Sequence, residues 1–321
     1  MSSRELAINF SALVDDFWAH TIDGLAVGSI YALIALGYTL VYGVLRLINF
    51  AHSEIFALGI YASAFAIHGM LDITEPRAGL SLVLTLLALL ITSMAASGIA
   101  ALVMERVAYR PLRRRNAPRL TALITAIGIS LVVQEFLALR YGRSRLNPQR
   151  LFEKESLFTF LGEEVSNDKV LVFVAAIVLM IGLDQFVRRS RLGRGIRATA
   201  QDAETAQLMG VDIDRVVMLT FLLGGLLAGA AGFFFLIFYE AARFNIGFLP
   251  GIKAFTAAVL GGIGNIRGAL LGGLLLGIME KYGAALFGGQ WTDVFAFMVL
   301  VLVLLVRPSG LLGESLGRTR A

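Results

Sequence analysis

The sequence predicts an all-α membrane protein, a polytopic transmembrane bundle of about eight or nine helices. Two observations carry this prediction. Of the 321 residues, 57% are hydrophobic and only 16% are charged, whereas soluble domains carry roughly 25% charged residues. The apolar residues also fall into runs close to the ~20 residues that a membrane-spanning helix needs. The alternating segments of ~10 residues that build a membrane β-barrel do not occur.

The apolar segments follow one another with polar connections between them. Two of them are short for a full span, and we expect half-helices there, because irregular backbone at membrane depth must be covered by protein. Four GxxxG pairs predict close approaches between helix backbones. The predicted segments are 21–45, 54–70 (short), 79–104, 120–141, 169–187, 215–240, 251–264 (short), 268–287 and 291–306. The glycine pairs are Gly24/Gly28, Gly225/Gly229, Gly268/Gly272 and Gly273/Gly277.

The chain divides into a membrane domain and two terminal pieces. Residues 1–20 are predicted to form an interfacial segment or a tail, because several apolar side chains fall roughly on one helical face. They lack the basic region and apolar run of a cleaved signal peptide. Residues 21–306 form the membrane domain, with a polar segment at 194–214, and residues 307–321 form a tail. The apolar side chains of the first piece are Leu6, Phe10, Leu13, Val14 and Phe17.

Arginine predicts the orientation of the chain in the membrane. The stretches 106–119 and 188–197 are rich in arginine and contain no acidic residue, so both are expected in the cytoplasm. The connection 142–168 mixes both signs of charge and is expected outside. The C-terminal tail is then cytoplasmic, and the N-terminus is external if both short segments cross.

Several classes of chemistry are excluded by residues that the sequence lacks. Cysteine is absent, which rules out disulfides and thiolate metal sites. Histidine occurs only at 20, 52 and 68, and the chain has no HExxH, P-loop or GxSxG motif. We expect no cofactor, no metal and no catalytic activity. The net charge of +5 comes mostly from arginine in loops, which indicates membrane topology rather than nucleic-acid binding.

One polar stretch, RATAQDAETAQLMGVDIDRVV at 197–217, lies between two of the most apolar segments. Its strong helix formers predict a helix over 199–209. Asp202 lies near its start, where the helix dipole favours an acid, and Gly210 provides a stop. A solvated helix would favour Glu/Lys pairs, whereas Ala, Gln, Leu and Met suit docking against another protein. A transporter without a nucleotide site would dock there to a separate ATPase.

A second polar stretch, LRLINFAHSEIFALG at 45–59, interrupts the membrane segments. Polar groups at membrane depth are costly unless they are paired or face water. Asn49 or Ser53 can cap the helix that opens near Glu54. Alternatively, Asn49, His52, Ser53 and Glu54 line a translocation route at a broken helix, whose end meets the charged groups of a zwitterionic amino acid.

The stretch FNIGFLPGIKAF at 244–255 has the same character. Pro250 suits the first turn of a new helix. Lys253 in that turn opposes the dipole, so we expect it to have a partner or reach the interface, and it is a further candidate for the translocation pathway. The likeness between the two stretches is what an inverted repeat would leave, and chance explains it equally well.

Several long motifs, in order, resemble the branched-chain amino acid class of ABC-importer permeases, the LivH type. The resemblance covers about residues 20–313. The generic ABC-permease pattern is EAA followed by a distant glycine and a later Leu-Pro pair. Ala203 and Gly210 fit this pattern, but no Leu-Pro pair follows them in the same polar stretch, so the generic pattern is only partly matched. The motifs are GLAVGSIYALIALGYTLVYGVLRLINFAHSEIFALGIY, ERVAYRPLR, GRGIRATAQDAETAQLMGVDIDRV, FLPGIKAFTAAVLGGIGNIRGALLGGLLLGIME and LLVRPSGLLG.

The resemblance implies an ATP-driven importer in a bacterial inner membrane. An external, periplasmic binding protein delivers the amino acid, and two cytoplasmic ATPase subunits drive transport. A LivM-type permease would complete a heterodimer, with a homodimer as the alternative. The helix at 199–209 would be the coupling helix. Its expected ATPase-contacting residues are Thr199, Gln201, Asp202, Ala203, Ala206, Gln207, Met209 and Gly210.

Other functions stay open at this stage. A permease of the same class for urea or short amides fits the same motifs. An ion-coupled secondary transporter needs titratable groups buried in mid-span, but His52, Glu54 and Glu280 lie near breaks or ends. An intramembrane enzyme has little support, because no nucleophile–base pair or metal-ligand cluster can be identified.

Overall fold

The computed structural model describes residues 16–71, 73 and 75–313, and these residues are almost entirely helical. Most of the predicted N-terminal piece and the end of the tail lie outside the described residues. The first helix begins at Phe17 rather than at 21. The helices are α1 Phe17–Leu45, α2 His52–Phe65, α3 Gly79–Met104, α4 Arg110–Arg114, α5 Arg119–Tyr141, α6 Asn167–Arg189, α7 Arg191–Gln201, α8 Ala203–Leu208, α9 Ile213–Tyr239, α10 Phe248–Gly261, α11 Ile266–Phe287 and α12 Thr292–Val306.

Seven helical stretches in the described part of the chain are long and apolar enough to cross a membrane. They contain α1, α3, α5, α6, α9, α11 and α12. The other two predicted membrane segments form the shorter helices α2 and α10, each of 14 residues. The structure therefore confirms a polytopic helical bundle with two shorter α-helices at the predicted places. A short π-helix, Ala66–Met70, extends α2.

The two ends of the bundle differ in composition. At one end, called here the arginine-rich end, Arg110 binds Asp214 at 2.8 Å and the amide of Leu311 donates to the carbonyl of Leu260. The other end carries a small hairpin of β1, Ser156–Phe160, and β2, Glu163–Ser166. We call it the hairpin end. Successive membrane helices run alternately between these ends.

Helices α1 and α9 form the centre of the bundle, and glycine lets their neighbours approach closely. A β-carbon at Gly24 would lie 2.7 Å from the α-carbon of Ile278, and one at Gly273 would lie 2.5 Å from the α-carbon of Ala32. Helices α1 and α11 therefore touch backbone to backbone. Gly225 and Gly229 face α3 in the same way, and Gly268 and Gly272 face α10. All four predicted glycine pairs are packing surfaces.

Candidate functional site

The chain turns back into the bundle between α1 and α2. Arg46 ends α1 in the left-handed backbone region, with φ 53°. Residues 46–51 then lead to His52, where α2 begins beside Gly37. Gly37 lies about eight residues before the end of α1, or roughly 12 Å along the helix axis. Helix α2 therefore starts well inside the bundle, as the polar stretch at 45–59 predicted.

Asn49 holds this turn in place. Its side chain is buried, with 2% exposure. The carboxamide oxygen accepts hydrogen bonds from the amide of Ala51 at 3.1 Å and from the hydroxyl of Tyr109 at 2.8 Å. Its amide nitrogen faces the sulfur of Met104 at 3.8 Å. Asn49 thus fastens the start of α2 to the end of α3.

The first turn of α2 carries three buried polar side chains. The ring of His52 packs edge-on against Tyr38, with ring centres 4.9 Å apart, and its Nε2 has no hydrogen-bond partner among the described residues. Ser53 donates to the carbonyl of Phe50 at 2.8 Å.

Glu54 is fully buried and accepts from Gln134 at 2.8 Å and Ser130 at 3.2 Å. Its hydrogen-bond donors on α5 are thus both neutral.

The N-terminus of α10 meets the N-terminus of α2 at this point. A β-carbon at Gly247 would lie 2.6 Å from the carbonyl oxygen of Ser53 and 2.9 Å from a carboxylate oxygen of Glu54. Gly251, one turn later, touches the side chain of Ser53. Two short helices therefore direct the positive ends of their dipoles toward one buried carboxylate. The two stretches whose sequences resemble each other are brought together in space.

Lys253 is not part of this cluster. Its ammonium group binds Glu280 at 3.1 Å and Asp293 at 2.6 Å, and Glu280 also accepts from the hydroxyl of Tyr31 at 3.2 Å. These contacts supply the partner that the sequence predicted for Lys253. They connect α10 to α11, α12 and α1, away from Asn49, His52, Ser53 and Glu54.

The polar segment between α6 and α9 is two helices rather than the single helix predicted over 199–209. Asp202 adopts an extended conformation, with φ −153° and ψ 110°, and separates α7 from α8. Its carboxylate accepts hydrogen bonds from the amides of Glu204 and Thr205 at 3.0 and 3.2 Å and from the Thr205 hydroxyl at 2.6 Å. These bonds lower the pKa of Asp202, the hydroxyl bond most of all. An aspartate that binds the following amides competes with helix continuation and caps the next helix instead.

The surface of this segment differs from the predicted alanine face. Ala206 is buried within the chain at 5% exposure, and Thr199 is buried as well. Leu208 and Met209 are the prominent groups, with 88% and 81% exposure. The chain turns at Gly210 with φ +86°, which confirms the predicted stop. The other predicted contact residues are exposed at this tip: Gln201, Asp202, Ala203, Gln207 and Gly210.

Ion pairs at the arginine-rich end join its two polar connections. Asp214 binds Arg110 at 2.8 Å, Arg113 at 2.5 Å and Arg114 at 3.0 Å. Arg113 also reaches the buried Glu105 at 3.3 Å. No local sequence pattern marks Asp214, Ser130 or Gln134 as functional, because their partners are distant in the chain.

Comparison with known proteins places the chain in a family. Residues 20–304 match the family described as the permease component of the branched-chain amino acid transport system. The chain belongs to this family. It is a permease subunit, and its membrane helices make it a multi-pass membrane protein, as the sequence motifs predicted.

Several curated relatives cover nearly the whole chain. It is 44% identical to the high-affinity branched-chain amino acid transport permease BraD of Pseudomonas aeruginosa, over 91% of this chain and 94% of BraD. It is 41% identical to LivH of Escherichia coli K12, over 93% and 96% of the two chains. It is 28% identical to a probable LivH of Methanocaldococcus jannaschii, over 89% of each. No solved structure matches the chain.

Proposed function

We propose that the chain is the membrane subunit of an ATP-driven importer for branched-chain amino acids. The observation that carries the proposal is the identity of 44% and 41%, over more than nine-tenths of the chain, to permeases named for high-affinity branched-chain amino acid transport. A LivM-type permease, two cytoplasmic ATPase subunits and a periplasmic binding protein complete the importer in the bacterial inner membrane. ATP hydrolysis belongs to the ATPase subunits.

The arginine-rich end faces the cytoplasm in this proposal. Its connections hold the arginine clusters that the positive-inside rule places there. Residues 310–313, the last that the structure describes, lie at the same end, because Leu312 donates its amide to the carbonyl of Gly261 at 3.0 Å. The hairpin end then meets the binding protein, with Arg150 and Glu240 paired on its surface at 2.9 Å.

The segment α7–α8 provides the contact with the ATPases. Two large apolar side chains, Leu208 and Met209, are almost fully exposed at its tip. Ala203 and Gln207 lie beside them on α8, and Ala206 helps to hold α8 against its own chain. Thr199, Gln201, Asp202 and Gly210 shape the segment. An exposed apolar tip at the cytoplasmic side is suited to a pocket on another protein.

The meeting point of α2 and α10 lies on the translocation pathway. Asn49, His52, Ser53 and Glu54 are polar groups held inside a membrane bundle, where such groups are costly and usually serve a function. Helix N-termini favour a carboxylate, and Glu54 favours an ammonium group. Lys253 contributes by fixing α10 through Glu280. The polar groups are enclosed in this conformation, so passage requires α2 and α10 to separate.

Reconstitution tests the proposed function. The importer would be placed in proteoliposomes as the two permeases with their ATPases and binding protein, and uptake of labelled leucine, isoleucine, valine and urea would be measured. We expect leucine uptake only with ATP and both ATPases present. Uptake that is driven by a proton or sodium gradient without the ATPases would indicate a secondary transporter. Uptake of urea alone would indicate the amide class.

The pathway role of Glu54 has its own test. Glu54→Gln keeps the shape and removes the charge, so we expect leucine uptake to fall about tenfold while the detergent melting temperature stays within a few degrees. A tenfold change corresponds to ~1.4 kcal/mol. Ser63→Ala is the control, because Ser63 is a buried polar residue of the same helix whose hydroxyl has no partner in the described part of the chain. Normal uptake by Glu54→Gln and by His52→Ala would assign these residues a structural role alone.

A further inference from the structure

Arg46 has a backbone conformation that calls for an explanation. It lies at φ 53° and ψ 29°, and its amide donates to the carbonyl of Tyr42 at 2.8 Å. A residue with a β-carbon seldom adopts this conformation, because the β-carbon crowds the next carbonyl group. Such residues persist where the surrounding structure holds them, and they are frequent at switch regions. The contacts of the Arg46 side chain show which part of the structure holds this conformation.

The guanidinium group of Arg46 binds the end of α7. Its Nη2 donates to the carbonyl oxygen of Ala200 at 2.7 Å, across 154 residues of sequence. Ala200 is in the last turn of α7, where carbonyl groups lack partners within the helix. A cation is also favoured there by the helix dipole. Arg46 therefore caps the C-terminus of α7 directly before Asp202, where the segment bends into α8.

The connection 46–51 is held at its other end as well. Asn49 accepts a hydrogen bond from Tyr109, and Tyr109 immediately precedes α4, whose arginines bind Asp214 at the start of α9. The connection between α1 and α2 is thus anchored to α7 through Arg46 and to α3 through Asn49. It is short, and it ends at the first turn of α2, against Gly247, which directly precedes α10.

We infer that Arg46 is a positioning residue that transmits movement of the α7–α8 segment to the meeting point of α2 and α10. The inference rests on the proposed function. When the ATPases move α7–α8, the Ala200 carbonyl moves too, and the guanidinium group that is hydrogen-bonded to it follows. The connection 46–51 then moves with Arg46. Asn49, held by Tyr109, is the pivot. The first turn of α2 then shifts relative to Gly247, which opens or closes the polar cluster around Glu54.

Three variants in the reconstituted importer test this role. Arg46→Met keeps the length and apolar stem of the side chain and removes the donor. Arg46→Lys restores a cationic donor. Arg115→Met removes an exposed charge from the same end, where no hydrogen bond of the Arg115 side chain is found in the described residues. ATPase recovery in pull-downs, ATP hydrolysis stimulated by loaded binding protein, and leucine uptake per ATP hydrolysed are measured for each.

We expect Arg46→Met to recover ATPases like the wild type and to lower uptake per ATP at least tenfold. Arg46→Lys should keep at least a third of the coupling, and Arg115→Met should match the wild type. Normal coupling in Arg46→Met would overturn the inference. Loss of ATPase recovery in that variant would also overturn it, by making Arg46 a docking residue. A wild-type importer without ATP-driven uptake would instead refute the proposed function.

Discussion

Replacing Leu208 and Met209 together with aspartate is expected to abolish ATP-driven uptake. Both side chains are exposed in the isolated chain, so the substitutions cost no internal packing. In a complex with the ATPase they would place two carboxylates in an apolar contact, and burying an unpaired polar group costs at least ~1–3 kcal/mol. Two such costs correspond to a weakening of binding by roughly a hundredfold or more.

The measurement is a pull-down of the ATPases in detergent, with uptake by the same preparations. Leu208→Met combined with Met209→Leu is the matched control, because it keeps the apolar surface and should bind normally. Ala203→Arg, on the exposed side of α8, should weaken binding in the same direction. Equal recovery of ATPases by the double aspartate variant, together with normal uptake, would make α8 a solvated loop helix.

Replacing Lys253 with methionine is expected to cause a large loss of stability. The ammonium group of Lys253 is paired with Glu280 at 3.1 Å, and the side chains of both residues are less than a tenth exposed. Removing one partner of a buried pair leaves an uncompensated charge and costs about 3–5 kcal/mol. For a chain of this size we expect a fall in Tm of roughly 5–10 °C.

A second substitution separates this explanation from a simple packing defect. Glu280→Gln removes the carboxylate charge, so Lys253→Met combined with Glu280→Gln should recover most of the lost stability. Lys281→Met is the control, because Lys281 is partly exposed and lies 4.0 Å from Asp23, and such surface pairs contribute only about 0–1 kcal/mol. A double variant that is less stable than Lys253→Met would show that the pair is not the source of the loss.

Much of the fold could be predicted because a membrane permits few backbone structures, and these depend on simple properties of the sequence. The length of each apolar run predicted the positions of the membrane helices. This works because every backbone polar group at membrane depth must be satisfied within the segment or by covering protein. The same rule marked α2 and α10 as half-helices, because their flanking polar, Gly and Pro residues cannot face lipid. Small residues repeated every four positions placed the backbone contacts between α1 and α11.

The local prediction was wrong at Asp202, where two physical tendencies competed. The alanines, glutamines and leucine of 199–209 favour one continuous helix. Asp202 instead binds the amides of Glu204 and Thr205 and starts a new one. Propensity differences are a few tenths of a kcal/mol per residue, whereas a helix cap contributes about 1 kcal/mol, so a single cap can divide a short helix.

The sequence by itself determined the class of membrane protein, the family, the position of both short membrane helices and the helix stop at Gly210. These depend on length, local composition and motif order, which are all properties of neighbouring residues. Only the tertiary structure decided which polar groups meet: Arg46 with Ala200, Asn49 with Tyr109, Glu54 with Gln134, and Lys253 with Glu280. Each pair joins residues far apart in the chain. Inside a bundle a polar side chain must find whatever partner the packing brings within hydrogen-bond distance, and that choice follows from how the helices assemble rather than from any one of them.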